Sequence, residues 1–403
     1  MTFKVKTKGQ IEGENMLVPK LRFKEFKDEF KKYKLKDIVN FYKGNNLSKS
    51  DITDNGFYPC ILYGELYTKY SEIAYHICSK TNSYTRNQFI SKQNDVLIPC
   101  SGETAIDIST STCLLEDNIL IGGDLNVLRP INQDGKYLSY LLCNKKRIII
   151  AKYAQGDSIV HLYGEKISNI DVDLPSKKEQ EKIANFLSLL DKKIELQQQK
   201  IEALKIYKKG LIQKIFNNKY NNSMKIEELI FQKSTRNSKN EIKDVYSVSN
   251  KDGFILQSEH FKDRMVASED TTNYKIIEND DFAYNPARIN VGSIARMKKN
   301  KNGIISPMYI CFKCNEKILP EYLEYFFESP KFIYEMNKRL EGSVRMCLSY
   351  ESMINIPIEV PDKKEQEKIS NILTSLDKKV YQEEKRYMKL DEIKKGLLQK
   401  MFV

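Results

Sequence analysis

The chain has 403 residues, with 66 Lys+Arg against 54 Asp+Glu (66 − 54 = +12), 41% hydrophobic and 30% charged residues, which fits two or three globular domains and excludes a disordered chain. No apolar run approaches the ~18 residues of a membrane span, Ile148-Ile149-Ile150-Ala151 being typical, and Met1 to Gly13 hold no apolar signal core, so a cytoplasmic protein with no membrane partner is expected. The basic excess suits an anionic partner such as nucleic acid, and equally an ordinary Lys-rich protein, because 55 of the 66 cations are Lys and 11 are Arg.

In chain order, residues 1–17 form a polar N-terminal extension, and a first globular module runs over residues 18–173, opening on Val18-Pro19-Lys20-Leu21-Arg22-Phe23. Strand-like runs at 57–62, 95–99, 118–121 and 123–128 alternate with turn clusters, and a helical run follows at 135–151. Residues 174–216 read as one long helix, and 217–223, Asn-Asn-Lys-Tyr-Asn-Asn-Ser, as a polar linker. A second module covers 224–360, with strand-like runs at 275–277, 281–284, 303–305 and 308–312 and a helical run at 320–340; a second long helix closes the chain at 361–403. This order is α+β, without a βαβ rhythm.

The chain repeats itself. Residues 175–216, PSKKEQEKIANFLSLLDKKIELQQQKIEALKIYKKGLIQKIF, and 361–402, PDKKEQEKISNILTSLDKKVYQEEKRYMKLDEIKKGLLQKMF, align without a gap at an offset of 186, with about half the positions identical. Upstream, Gln155-Gly156-Asp157-Ser158 echoes Glu341-Gly342-Ser343, Asp95-Val96-Leu97-Ile98 echoes Asp281-Phe282-Ala283-Tyr284, and Tyr137-Leu138-Ser139-Tyr140 echoes Tyr322-Leu323-Glu324-Tyr325; the module starts, Leu35-Lys36-Asp37-Ile38 and Ile226-Glu227-Glu228-Leu229, resemble each other more distantly.

Within each repeat a proline and then Ser176 or Asp362 mark a helix start. Apolar residues then alternate by four and three: Ile183, Leu187, Leu190, Ile194, Ile201, Leu204, Leu211 and Ile215, matched by Ile369, Leu373, Leu376, Val380, Tyr387, Leu390, Leu397 and Met401. This is a coiled-coil seam, and its two polar positions, Gln197/Glu383 and Lys208/Lys394, are suited to fixing register. About forty residues of helix span about 60 Å at 1.5 Å per residue. Modules related by a pseudo-twofold would place the two helices antiparallel as a rigid spacer; a helical hairpin inside one core is the plainer alternative.

No catalytic pattern completes. There is no P-loop, no GxGxxG after a strand and no GxSxG elbow. Tyr284-Asn285-Pro286-Ala287 has Ala287 where the Asn-Pro-Pro-aromatic motif of amino-methyltransferases has proline, and Pro361-Asp362 with Glu365, Glu367 and Lys368 packs a nuclease-like set onto one helix start. Eight Cys are too few for a disulfide scaffold, Cys311 and Cys314 alone stand at CxxC spacing, and His76, His161 and His260 make no cluster, so no metal site is expected. Polar and aromatic loops suited to DNA remain, with candidate contacts at Lys43, Asn45, Asn46, Lys49, Tyr63, Lys69, Ser101, Thr104, Asn285, Arg288, Asn290, Arg296, Lys298 and Lys299. Asn pairs with adenine and Arg with guanine in the major groove, while Lys meets phosphates; each such residue is also what an ordinary exposed loop contains.

The two KKEQEKI…LDKK…KKGL-x-QK helices, the Val18–Phe23 opening and the run Asp281-Phe282-Ala283-Tyr284-Asn285-Pro286-Ala287-Arg288-Ile289-Asn290-Val291-Gly292-Ser293 resemble the DNA-specificity subunit of Type I restriction-modification systems, over residues 18–403. The resemblance implies a non-catalytic subunit with two pseudo-symmetric target recognition domains separated by two long antiparallel coiled-coil helices. It implies that each domain reads one half of a split site in double-stranded DNA and that the helices set the gap. It further implies docking of two methyltransferase subunits and of restriction/translocase subunits, with S-adenosylmethionine, ATP and magnesium on those partners and none on this chain. A scaffold without DNA built on the same helix pair, and an enzyme with an unfamiliar site, stand as alternatives.

Overall fold

The computed structural model describes residues 3–5, 18–156, 159–220, 222–250, 252–260, 270–299, 301–342 and 346–403. The N-terminal extension therefore lies outside the described residues except for the strand Phe3–Val5, which pairs antiparallel with Leu21–Phe23, and so do Asp157, Ser158 and Ser343 of the upstream echo. The chain divides into two compact units, Met1–Gln197 with Arg386–Val403, and Gln198–Lys385, so the division falls inside both long helices, Lys177–Asn217 and Lys363–Met401.

Each unit follows one plan. An early strand of the module pairs antiparallel with its last, Lys31–Lys34 with Asp171–Leu174 in unit 1 and Ser223–Lys225 with Pro357–Glu359 in unit 2. Both ends of the module thus meet at the foot of a long helix. A single turn follows the entry strand, Leu35–Ile38 and Ile226–Glu228, closed by the Lys34 N–H donating to Asp37 (3.2 Å) and the Lys225 N–H to Glu228 (3.0 Å). The faint echo of the module starts is this turn.

The α+β module of unit 1 holds a five-stranded sheet in the order Val39–Lys43, Leu125–Pro130, Val96–Pro99, Thr112–Leu114, Ile73–Ala74, antiparallel but for the last pair, beside a three-stranded sheet of Leu120–Ile121, Tyr58–Ile61 and Ser79–Thr81. Unit 2 holds two four-stranded sheets, Ile230–Lys233, Ile310–Cys314, Phe282–Tyr284, Ile294–Arg296 and Gly253–Leu256, Val245–Ser249, Gly303–Ile305, Lys275–Ile277. The helical runs each break in two, into Gly135–Asn144 and Arg147–Lys152, and Pro320–Phe327 and Pro330–Asn337; in the second, Pro330 restarts the helix behind the Ser329 hydroxyl, which accepts from Phe332 N–H (3.2 Å).

The strands that open on Asp95 and Asp281 are pinned alike. Asp95 is buried and takes both arms of Arg129 (2.8 Å each) and the Lys92 N–H (2.8 Å). Asp281, equally buried, takes Lys233 Nζ (2.6 Å) and the Glu278 N–H (2.8 Å). The residue before each, Asn94 or Asp280, has positive φ (78° and 65°), a conformation Asn and Asp tolerate best among residues with a side chain. A matched ion pair ties helix to exit strand, Lys146 to Asp173 (3.6 Å) and Lys331 to Glu359 (3.5 Å).

The long helices show why their sequences repeat. Gln180 and Gln366, buried at the helix starts, donate to the carbonyls of Pro175 (3.0 Å) and Pro361 (2.9 Å) and accept from the N–H of Asp134 (3.1 Å) and Leu319 (2.8 Å). Asp362 caps its helix by accepting from Glu365 N–H (2.9 Å), which gives the nuclease-like set a structural role. Glu179, buried, takes the Arg22 guanidinium through two bonds (2.8 and 2.7 Å) and so fixes the Val18–Phe23 opening. Further along, Ile183, Leu187, Leu190, Ile194, Ile201, Leu204 and Leu211, and Ile369, Leu373, Leu376, Val380, Tyr387, Leu390 and Leu397, are buried or half-buried. In unit 2 the contacts run from Lys200–Glu383 (2.8 Å) to Lys208–Asp377 (2.7 Å), numbers rising on one helix and falling on the other, so the segments are antiparallel.

The polar seam lysine sits in the same node in both units. Lys394 reaches Asp191 (2.8 Å) and Glu72 (3.1 Å), while Tyr140 donates its hydroxyl to Asp191. Lys208 reaches Asp377 (2.7 Å) and Glu328 (2.8 Å), while Tyr325 donates to Asp377 (2.7 Å). The helix ends match too: Phe402 packs on Tyr137 (centroids 5.1 Å apart) and Phe216 on Tyr322 (5.1 Å). The start of one helix and the end of the other therefore build each core.

Candidate nucleic-acid interface

Among the described residues no group of three or more His, Cys, Asp or Glu is placed to hold a metal ion, and no helix is long and apolar enough to cross a membrane. Cys311 and Cys314 lie on one sheet strand, where burial pushes both thiols up to about 12. Ser101 and His161 pair across two short strands near Asp124, but the Ser101 hydroxyl donates to Asp124 (3.1 Å), so no hydroxyl–imidazole–carboxylate relay forms. The Ser79–Glu65–Lys69 cluster holds a charged lysine: the Glu65 hydrogen bond raises the Lys69 pKa, opposite to what a general base requires.

Several candidate DNA contacts also bond other groups of the protein. Arg296, its side chain only 9% exposed, faces three carboxylates, Asp280 (2.7 Å), Glu324 (3.0 Å) and Glu321, which together outweigh the burial that works against its charge and hold its pKa above the ordinary arginine value. Asn45 donates to the Asn87 carbonyl (2.7 Å) and accepts from Phe89 N–H (2.8 Å), so both ends of its amide are taken. Ser101 and Asn285 are buried, Asn285 accepting from Ala287 N–H (3.1 Å). Thr104 is locked in a turn with Asp107 (2.5 Å), and Lys69 pairs with Glu65 (2.6 Å). Lys298 pairs with Glu324 (2.7 Å) while staying largely exposed, and Lys299 lies over the Tyr246 ring (4.9 Å).

The others face solvent. Lys43 ends a strand on the rim of a shallow pocket of about 490 Å³ that Tyr42 and Tyr163 also line. Asn46 (φ 53°) and Lys49 lie on an exposed turn, and Tyr63 is partly exposed. In unit 2, Arg288 and Asn290 stand exposed around the 3-10 turn Ile289–Val291, which ends at Gly292 with φ 93°. Next to them a groove of about 700 Å³ is lined by Asn250, Asn290, Val291, Ile333, Glu324 and Glu328; the two carboxylates make it a poor phosphate site.

Arginine separates the units' reading candidates best, because its fork matches guanine. Arg22, Arg129, Arg147, Arg236, Arg296 and Arg339 each bond other protein groups. The side chains of Arg86 and Arg288 are exposed and show no hydrogen bond or ion pair to another described residue. The sequence reading chose Arg288 and passed over Arg86, whose signal is the polar run Asn82-Ser83-Tyr84-Thr85-Arg86-Asn87 after a short strand.

The profile of the family described as the Type I restriction modification DNA specificity domain matches residues 27–206 and 215–392. The chain belongs to that family, whose members are the non-catalytic, DNA-recognising subunits of Type I restriction-modification complexes. It is 24% identical to the Type I restriction enzyme MjaVIII specificity subunit of Methanocaldococcus jannaschii, over 92% of this chain and 91% of that one. Its fold is similar to the crystal structure of the Type-I restriction-modification system S subunit from M. genitalium (TM-score 0.62, 20% identity, 96% of this chain and 99% of that one). It is also similar to a chain from a structural study of complex assembly and conformational transition of the type I R-M system (TM-score 0.54, 11% identity, 93% and 97%).

Proposed function

We propose that this subunit recognises a bipartite target in duplex DNA, one half read by each unit's module, with a non-specific gap set by the two long helices. The observation that carries this is the doubling: the entry strand, the pinned aspartate strand, the helix foot and the lysine node are all built twice, once per unit. A chain that builds one reading module twice, with different exposed loops on each copy, is suited to two different short sequences. On this reading it directs two methyltransferase subunits and the restriction/translocase subunits in the cytoplasm, and the S-adenosylmethionine, ATP and magnesium reside on those partners. Taking a target adenine out of the stack then falls to the methyltransferase.

The test is methylation-aware sequencing of DNA modified by the chain together with its methyltransferase partner. Two short sequences at a fixed separation are expected. One contiguous site, or no sequence preference, overturns the proposal.

A further inference from the structure

The six residues 82–87 are all exposed, yet the turn they form is tied down at both ends. At its start the Asn82 carbonyl oxygen of the side chain accepts from Phe57 N–H (3.1 Å), and Ser83 N–H donates to the Thr81 hydroxyl (3.0 Å). At its end Asn45 Nδ2 donates to the Asn87 carbonyl (2.7 Å), and the buried Gln88 donates to the Asn45 carbonyl (2.7 Å). Gly56 lets the neighbouring chain cross closely: a Cβ there would stand 2.4 Å from Thr81 N. The turn is a displayed element with a fixed base, and its tip offers Tyr84, Thr85 and Arg86.

Its surroundings are unusual for a surface left bare. Phe57 is 85% exposed, and Tyr58 and Tyr84 stack on each other (5.2 Å, 27°) while each stays a little under half exposed. Lys49 and Lys80 are exposed on the same stitched segments. Of the acids there, Asp51 is engaged by Ser48 (2.8 Å) and Ser83 (3.3 Å), and Asp54 is exposed. Exposed aromatic rings beside unpaired cations mark a surface meant for contact, and the family membership supplies DNA as the contact.

We infer that this face is the base-reading surface of unit 1, with Arg86 donating two hydrogen bonds to a guanine in the half-site that unit 1 reads and Phe57 making apolar contact beside it. The inference rests on the bipartite reading above. Guanine follows from the fork of donors that matches its O6 and N7; for Phe57 the apolar group a major groove offers is the thymine methyl. Lys49 and Lys80 meet the flanking phosphates.

The experiment is selection from a random-sequence duplex library by the full chain in complex with its methyltransferase partner, comparing wild type with Arg86→Ala, Arg86→Lys and Phe57→Ala. Both positions are exposed, and circular dichroism checks that each variant folds. Arg86→Ala should erase one guanine from one half-site, leave the other half-site as it was, and weaken binding to the wild-type consensus duplex about 10- to 100-fold; Arg86→Lys should not restore the guanine. Phe57→Ala should weaken that half-site alone. A consensus unchanged in both halves overturns the inference while leaving the bipartite reading intact, and so does a loss of affinity equal for all sequences, which marks a phosphate contact. A wild-type chain that selects no two-part site removes both.

Discussion

Replacing Lys394 by Met tests the seam node most directly. The change keeps an unbranched apolar stem as far as Cε and removes the ammonium. The Lys394, Asp191 and Glu72 side chains are 16, 10 and 13% exposed, so little water stands ready to take the ammonium's place. Burial already raises the Asp191 pKa, against the pull of Lys394 and the Tyr140 hydroxyl. Without Lys394 two carboxylates share that space, with Tyr140 donating to only one of them. Breaking a mostly buried pair from one side costs about 3–5 kcal/mol, and the partial exposure puts this case near 3. The chain has no Trp, so urea unfolding is best followed by the helix signal in circular dichroism. With m at or above about 3 kcal/mol/M for a chain of this size, the midpoint should fall by up to about 1 M. Adding Asp191→Asn and Glu72→Gln to the Met variant should recover most of the loss. The defect of the single variant should shrink toward acid pH, because Asp191, whose folded pKa is raised, takes up a proton there and the repulsion is lost. A loss below about 1 kcal/mol, or no recovery in the triple variant, refutes the account.

Deleting four residues from one long helix removes about 6 Å of rise and turns the seam out of register; methylation-aware sequencing should show an altered gap or no modification, and an unchanged gap with full modification contradicts the spacer role. Arg288→Ala should remove a guanine from the half-site read by unit 2, and an unaltered consensus by library selection rules that out. The Lys233 hydrogen bond holds the Glu278 carboxyl below its usual range. The stability this brings is present above the ordinary glutamate value and lost as pH falls through the lower folded value. Lys233→Met should flatten that acid limb of the stability–pH curve in urea titrations, and an identical limb argues against it.

The doubling and the long helices were legible because they rest on periodic, local signals: a 4,3 apolar rhythm and a 186-residue offset. Strands such as Val39–Lys43, Thr112–Leu114 and Val245–Ser249 were missed because each is short and mixes polar with apolar residues, and only its sheet neighbours make it a strand. The candidate site was legible as loop chemistry but not as availability. Arg296 and Arg288 stand eight residues apart in one loop-and-strand run, yet one is surrounded by Asp280, Glu321 and Glu324 and the other by solvent. Two of those three acids come from a helix some 25 residues later in the chain, at |i−j| = 25 and 28. Nothing local to Arg296 announces them.

The pattern of the repeat says what constrains it. In each unit the foot of one helix supplies a buried glutamine and an aspartate, Gln180 and Asp191 or Gln366 and Asp377, while the far end of the other supplies the lysine and the terminal phenylalanine, Lys394 and Phe402 or Lys208 and Phe216. Every helix therefore has to fit two cores, its own module at the start and the other module at the end. A substitution at Lys208 cannot be compensated within its own repeat, because its partner Asp377 belongs to the other copy. Both copies are held to one sequence at KKEQ, LDKK and KKGL-x-QK-x-F, while the exposed turns around Arg86 and Arg288 answer to no such partner and are free to differ between the units.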